Sequence, residues 1–386
     1  MIMAHRYRLA ARALLFILSS LLVLPAISQA ERLAAGTSLG HDYQVGELAN
    51  GFSTPWGLAF VSPTELLITE RRGQLWLLNT ESGKRSIVDG LPGDIATTGQ
   101  GGLLDVQTGP RFDSDRTLYF TYSKRLGNEA ATTVARAVLS QDQRRLTDWQ
   151  NLLVTDSAST AGQHFGSRVT FDDRGYLYFG VGDRGNRDNG QDTSNHAATI
   201  LRLHLDGRIP QDNPFVDNDA IPDEIWSLGH RNPQGLAYDH KRGILWEIEH
   251  GPRGGDEINI IEPGANYGWA MVSHGREYWG PVDVGEAESL PGYVDPVKVY
   301  VPSIAPGSLW VYQGDAFPDW QGHLFAGALV LTHLNHIAVD TTGNIGQEDR
   351  LLDDLNERIR AVTEDRNGDL ILATDSGKIL RISPTL

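Results

Sequence analysis

The densest cluster of reactive side chains is GQHFGSR at 162–168, followed closely by GVGDRGNRDNG at 180–190. His164 precedes one β-like run and Asp183 follows the next, so both can reach the same end of a sheet. A histidine backed by a carboxylate is the minimal general-base pair, because the carboxylate fixes the tautomer and stabilises the imidazolium. The alternative is a hydrogen-bonded turn histidine. Asp183, Asn186, Asp188, Asn189 and Asp192 also offer oxygens for a cation loop, although the strict EF-hand pattern is absent.

Three further clusters follow. In SLGHRNPQGLAY at 227–238, Arg231 and Asn232 occupy a polar turn before a strand. Arginine can oppose developing negative charge, and asparagine can both donate and accept; an arginine braced on a protein carboxylate is the alternative. In EHGPRGGDEINIIEPGANYGW at 249–269, glycines and Pro252 force an irregular backbone beside Glu249, Asp256, Glu257 and Glu262. Calcium takes carbonyls and carboxylates together, whereas solvated turn charges need no ion. In ERIRAV, strand alternation puts Arg358 and Arg360 on one face. Such a pair wants an anion between them, either a protein carboxylate or a polycarboxylate ligand. Gln100 in TTGQGGLL offers an amide just before a strand, and Trp56, Trp226, Trp246, Trp269 and Trp310 read as core packing.

These clusters punctuate a repeated unit, two short β-like runs joined by a turn. The copies lie at 55–78, 101–123, 166–182, 233–251, 306–330 and 357–382. TLYFTY, YLYFGVG and DLILAT are strand-like, and DDRG, DHKRG, DRNG and DSG are hairpin turns. We expect an all-β chain, a six-bladed β-propeller of four-stranded antiparallel sheets, with long insertions in the middle blades. A two-sheet sandwich is the simpler alternative. YQVGELA at 43–49 is expected to add a strand to the last blade and close the ring, and 349–360 to hold a helical turn or two before its end becomes strand, where RIRAVTED opens the last blade.

Residues 1–30 read as a secretory signal peptide: Arg6, Arg8 and Arg12, the apolar run at 14–24, and Ser28 and Ala30 at the small positions before a cut. The apolar run is far short of the roughly 20 residues a membrane span needs. The expected mature chain, residues 31–386, is one propeller domain, soluble, and periplasmic or secreted. It contains no cysteine, so it needs a large core, ring closure or metals in place of disulfides. A net charge of −16 argues against a nucleic-acid partner.

PWGLAF, GQGGLL, HFGSR, GVGDRG, GHRNPQGL, EHGPRGGDEIN, GANYGW and ERIRAV together resemble the soluble quinoprotein sugar dehydrogenases, in particular the aldose sugar dehydrogenase branch of the glucose/sorbosone dehydrogenase family. The resemblance implies a six-bladed propeller that binds pyrroloquinoline quinone (PQQ) and calcium. It makes His164 the base, Asp183 its support and Arg231 the cation beside quinone and substrate. Gln100, Asn232, Arg358 and Arg360 become cofactor contacts. The carbonyls of Gly251 and Pro252 become calcium ligands at the quinone, and Glu257 and Tyr267 a second, structural calcium site. The implied reaction oxidises an aldose at C1 to an aldonolactone, with electrons leaving to an external acceptor. One position departs from the family pattern: Val330 stands where a lysine often faces the quinone, with His333, Asn335 and His336 as nearby substitutes. A propeller lactonase or glycosidase, and a calcium-stabilised binding propeller, are the rival readings.

Overall fold

The structure, a computed structural model, describes residues 32–385. The expected leader and the cleavage point near Glu31 lie outside the described residues. No helix among the described residues is long and apolar enough to cross a membrane.

Six antiparallel sheets form the blades. From the axis outward, blade one holds Pro55–Phe60, Glu65–Glu70, Gln74–Asn79 and Arg85–Ile87. Blade two holds Leu103–Thr108, Thr117–Leu126, Glu129–Leu139 and Leu146–Val154. Blade three holds Val169–Phe171, Tyr176–Val181, Thr199–His204 and Ile225–Leu228. Blade four holds Pro233–Asp239, Ile244–Glu249, Asp256–Ile260 and Lys298–Tyr300. Blade five holds Pro306–Val311, Leu324–Ala328, Leu334–Val339 and Ile345–Leu351. Blade six starts with Ile359–Glu364, Leu370–Thr374 and Ile379–Pro384. Each innermost strand packs on the next, and Ile359–Glu364 packs back on Pro55–Phe60, so the ring is closed.

The apolar runs are continuous because each blade is covered on both faces. Leu67, Val106 and Phe120 pack together between blades one and two; Val134, Phe179 and Leu201 between two and three. Tyr178 and Leu236 bridge three and four, and Ile248 and Leu309 bridge four and five. Phe325 and Leu372 bridge five and six, and Leu58 and Ile371 bring six against one. A ring leaves no sheet face exposed, which is how a chain without disulfides buries a large core.

The expected latch is present: His41–Ala49 pairs with Ile379–Pro384, with Val45 opposite Ile382. Leu39 and Gly40, both at positive φ, then fold Arg32–Ser38 back onto it. Blade six therefore has five strands instead of four. The helical turns expected within 349–360 reduce to the end of a strand and a single 3-10 turn at Asp353–Leu355, after which the expected inner strand of blade six begins at Ile359. Leu352 and Asn356 flank that turn in left-handed backbone, φ 69° and 51°, which a right-handed helix cannot continue through.

The axis is plugged by Arg168. Its guanidinium donates to Asp105 Oδ1 at 3.0 Å, the Gln234 carbonyl at 3.1 Å, the Gly307 carbonyl at 2.9 Å and the Arg360 carbonyl at 2.8 Å. It also stacks over Trp56, 4.0 Å from the ring centre. One side chain at the entry to blade three thus touches all five other blades. Gly57 lets blades one and two close on this point, since a Cβ there would lie 2.8 Å from the Val106 nitrogen. The plug divides the axial space. One cavity lies at the starting ends of the inner strands and another runs along their middles and far ends.

Candidate functional site

His164 sits in a loop that the chain holds tightly. Arg184, packed on Phe165 at 3.5 Å, donates to the carbonyls of Ser157, Ala161, Gln163 and Ala130. The Gln100 side chain accepts from the His164 backbone N–H at 2.9 Å. His164 itself has φ 53°, a left-handed conformation that costs a non-glycine residue about 1–2 kcal/mol. Gly182 permits the close approach, because a Cβ there would lie 2.4 Å from the His164 carbonyl oxygen. The glycines of HFGSR and GVGDRG thus aim one imidazole.

That imidazole pairs with Asp183, Nδ1 to Oδ1 at 2.6 Å. The carboxylate also accepts from the Gly185 N–H at 2.7 Å and from Trp269 Nε1 at 2.8 Å. Burial alone raises the Asp183 pKa. The hydrogen bond and charge of His164, with the Gly185 N–H, outweigh it and hold the carboxyl below its ordinary value. An ionised Asp183 selects the tautomer with hydrogen on Nδ1. No group among the described residues bonds Nε2, whose lone pair is left for a substrate proton. Asn186, Asp188, Asn189 and Asp192 do not gather into a cation loop. Asn186 caps the short turn Arg187–Gly190, Asn189 bonds the Asp183 carbonyl, and Asp192 caps Ser194.

Gln100, Phe165 and Gly166 line the cavity beside this histidine, together with Trp56, Asn232, Gln234, His250, Arg358 and Arg360. Its volume is about 240 Å³. Arg358 and Arg360 are on one face as expected, and a protein carboxylate is already between them. Asp375 accepts from Arg358 Nε at 2.9 Å and from Arg360 Nε and Nη2 at 2.9 and 3.0 Å. Arg71 also lines the cavity. Its source, TERRG, reads as an ordinary hairpin turn, and no sequence signal marked it.

Arg231 is 7% exposed and lies 5.2 Å from the Trp269 ring. Its Nη1 donates to the carbonyls of His250 and Gly251, at 3.0 and 2.8 Å. The Pro252 carbonyl accepts from the Tyr278 hydroxyl at 3.1 Å. Each carbonyl retains a second lone pair for a cation. His250, absent from the sequence expectations, donates Nε2–H to the Pro306 carbonyl at 2.7 Å. Burial, with Arg231 and His164 nearby, drops its pKa to about 3, so it is neutral.

The acidic stretch divides by role. Asp256 is structural: it accepts from Gly251 N, Ser303 Oγ, Ile304 N and Ala305 N. Glu262 is exposed. Glu257 lies directly across the sheet from Glu249, and Glu247 lies two residues from Glu249 on the same face. Ligand atoms of His230, Glu247 and Glu249 fall within 4.8 Å of one another. One Glu247 oxygen is buried without a partner. Burial first, then the Glu249 charge, pushes both Glu247 and Glu257 well above the usual carboxylate range. Tyr267 shares a small polar space with Glu249 and Glu257. Its ring stacks on His230 and its hydroxyl donates to the Ile260 carbonyl, so only its own carbonyl is left to meet an ion.

Val330 is 47% exposed; it does not line the cavity itself but the adjoining groove, which also holds His250, Gly251 and Pro252. None of its expected substitutes reaches the cavity. His333 bonds Asn335 and the Leu331 carbonyl, and His336 bonds Ser38 and His323. Strand pairing carries Asn335 and His336 into blade five, and His333, in the turn before them, accepts at its carbonyl from Ala328 N. The tryptophans also divide: Trp246 is core, whereas Trp56 and Trp269 serve the cavity and the Asp183 carboxylate.

A closed six-bladed propeller with a histidine–carboxylate pair beside an arginine-rich axial cavity defines the class of protein. Residues 52–381 match the model of the glucose/sorbosone dehydrogenase family. The chain belongs to that family, which makes it an oxidoreductase. It is 39% identical over 337 residues to aldose sugar dehydrogenase YliI of Escherichia coli K12, covering 86% of this chain and 90% of that one. The structure of the soluble aldose sugar dehydrogenase of Escherichia coli in its apo-form superposes with a TM-score of 0.85 at 37% identity, covering 89% of this chain and 100% of that one. The PQQ-bound aldose sugar dehydrogenase of Streptomyces coelicolor superposes at 0.73 and 24% identity, covering 91% and 99%, a likeness of fold.

Proposed function

We propose that this chain is a PQQ- and calcium-dependent dehydrogenase that oxidises aldoses at C1 to aldonolactones and passes the electrons to an external acceptor. The observation that carries this reading is the buried His164–Asp183 pair, 2.6 Å apart, whose imidazole keeps Nε2 free and whose loop continues into Phe165 and Gly166 on the wall of an arginine-rich cavity. The cavity suits a planar polycarboxylate: it offers guanidinium donors on one side, the Trp56 ring, and amides from Gln100, Asn232 and Gln234. Arg358 and Arg360 would hold its carboxylates. The carbonyls of Gly251 and Pro252 would take a calcium ion next to it. Glu257, with Glu249, Glu247 and the Tyr267 carbonyl, would take a second. Glu249 and Glu257 face each other as like charges across the strands, and Glu247 keeps one buried oxygen without a partner; both are costly without a cation.

PQQ, when bound, supplies the two-electron acceptor for hydride from the sugar. The protein's own work is proton handling and charge. His164 Nε2 takes the proton of the anomeric hydroxyl, and Asp183 stabilises the imidazolium that forms. Trp269 and Gly185 keep Asp183 aimed. Arg231, anchored on the His250 and Gly251 carbonyls, presents positive charge to oxygen that becomes negative. His250, neutral, adds no competing cation. We also propose export through the leader at 1–30, which suits chemistry independent of a nicotinamide pool. His164→Gln tests the assignment of the base. PQQ uptake is expected to persist, with sugar-dependent turnover reduced by about 10²–10⁴; near-normal turnover would overturn it.

A further inference from the structure

We propose that Arg71 is a third guanidinium of the cofactor cradle, binding a carboxylate that Arg358 and Arg360 leave unmet. The proposal rests on the PQQ reading given above. Arg71 follows the second strand of blade one, and its backbone is fixed. Its N–H donates to the Thr54 carbonyl at 3.1 Å, and its carbonyl accepts from Leu103 N at 3.2 Å. Gly102, at φ 156°, makes that contact possible, since a Cβ there would fall 1.8 Å from the Arg71 oxygen. The glycines of GQGGLL therefore bring Gln100 and Arg71 to the rim of one cavity.

The three arginines differ in what they have left to give. Arg358 uses Nε on Asp375 and Nη1 on the Leu329 carbonyl. Arg360 uses Nε and Nη2 on Asp375. The Arg71 guanidinium makes no hydrogen bond or ion pair among the described residues, although it is only partly exposed and lines the cavity. Burial, then the neighbouring Arg360, lower its pKa, and Asp375 only partly offsets them. Three guanidiniums face one carboxylate here, which leaves excess positive charge for a ligand with more than one anionic group. Arg71 also answers the departure at Val330. The cation that the family resemblance expects from blade five comes from blade one.

The test is a titration of metal-free full-length mature protein, supplied with calcium, with PQQ followed by absorbance. Wild type, Arg71→Ala and Arg71→Lys are compared, and melting of each cofactor-free protein is recorded in parallel. Arg71→Ala is expected to weaken PQQ binding about tenfold or more, with Arg71→Lys in between. The salt dependence of binding should also become shallower. Because Arg71 has no protein partner, cofactor-free Arg71→Ala should melt no lower than wild type. Arg71→Ala binding PQQ within twofold of wild type overturns the proposal, as does a lowered melting temperature with unchanged affinity of the folded protein. Wild type that takes up no PQQ overturns the cofactor reading, and the proposal falls with it. Wild-type uptake with unaltered Arg71→Ala removes the proposal alone.

Discussion

Asp183→Asn should silence the base without emptying the cavity. The carboxylate now accepts from three donors: His164 Nδ1 at 2.6 Å, Gly185 N at 2.7 Å and Trp269 Nε1 at 2.8 Å. An asparagine has one acceptor oxygen and one donor nitrogen. If the oxygen stays on His164 and Gly185, the NH₂ group confronts the Trp269 N–H. If it turns to Trp269, the NH₂ group faces His164 and selects the tautomer with hydrogen on Nε2, which cannot act as a base. Even the better orientation loses the charge that stabilises the imidazolium. A hydrogen bond to a charged group contributes about 1.5–3 kcal/mol. At about 1.4 kcal/mol per tenfold, the first orientation costs about 10- to 150-fold in kcat. Any share of the second orientation adds to that. Asp183 does not line the cavity, so PQQ affinity should hold. The assay is steady-state aldose oxidation by reconstituted enzyme with an artificial electron acceptor, alongside a PQQ titration. Turnover within threefold of wild type at full PQQ occupancy would refute the reasoning.

Arg168→Met should destabilise by about 3–5 kcal/mol in denaturant unfolding, since it strands Asp105 in the axis without a counterion; adding Asp105→Asn should recover part of that loss, and a cost below about 1 kcal/mol would contradict the plug. The acidic site sets a pH dependence whose sign follows from Glu247 and Glu257, both raised by burial and by Glu249. A raised carboxyl keeps its proton in the folded state after the unfolded chain has lost it, so chelated protein should lose stability as pH rises above about 4.3 through the folded values. A cation removes that penalty, so calcium should raise the melting temperature more at pH 8 than at pH 5 in calorimetry; an equal shift at both, or none, would remove the acidic site as a calcium site.

The six blades were legible because their strands recur with hairpin turns, and because two-sided burial writes continuous apolar runs such as YLYFGV and LFAGA. The latch was legible for the same reason. The fifth strand of blade six was not: RLAAGTS is short of large apolar residues and is mostly solvent-facing, so it carries little strand signal. The helix expected at 349–360 came from local composition. Left-handed Leu352 and Asn356 and pairing across two blades decided otherwise.

His164, Asp183 and the Arg358/Arg360 pair stood out because each is local in sequence. Trp269, His250, Arg71 and His230 did not, because they meet the site only through ring closure or cross-strand pairing. Trp269 reaches Asp183 from an insertion of blade four, 86 residues away. Arg71 meets Arg360 across the join between blades one and six. His333, Asn335 and His336 show the reverse error. They are close to Val330 in sequence, yet Asn335 and His336 are carried into blade five by strand pairing, and none of the three lines the cavity.

The most direct test is an absorbance titration of metal-free protein with PQQ and calcium, followed by addition of an aldose under anaerobic conditions. Saturable uptake of one PQQ per chain, dependent on calcium, should be followed by loss of the oxidised quinone spectrum when the aldose is added. A non-reducing polyol should leave that spectrum unchanged. Absence of uptake, or bound PQQ that no aldose reduces, would contradict the proposed chemistry.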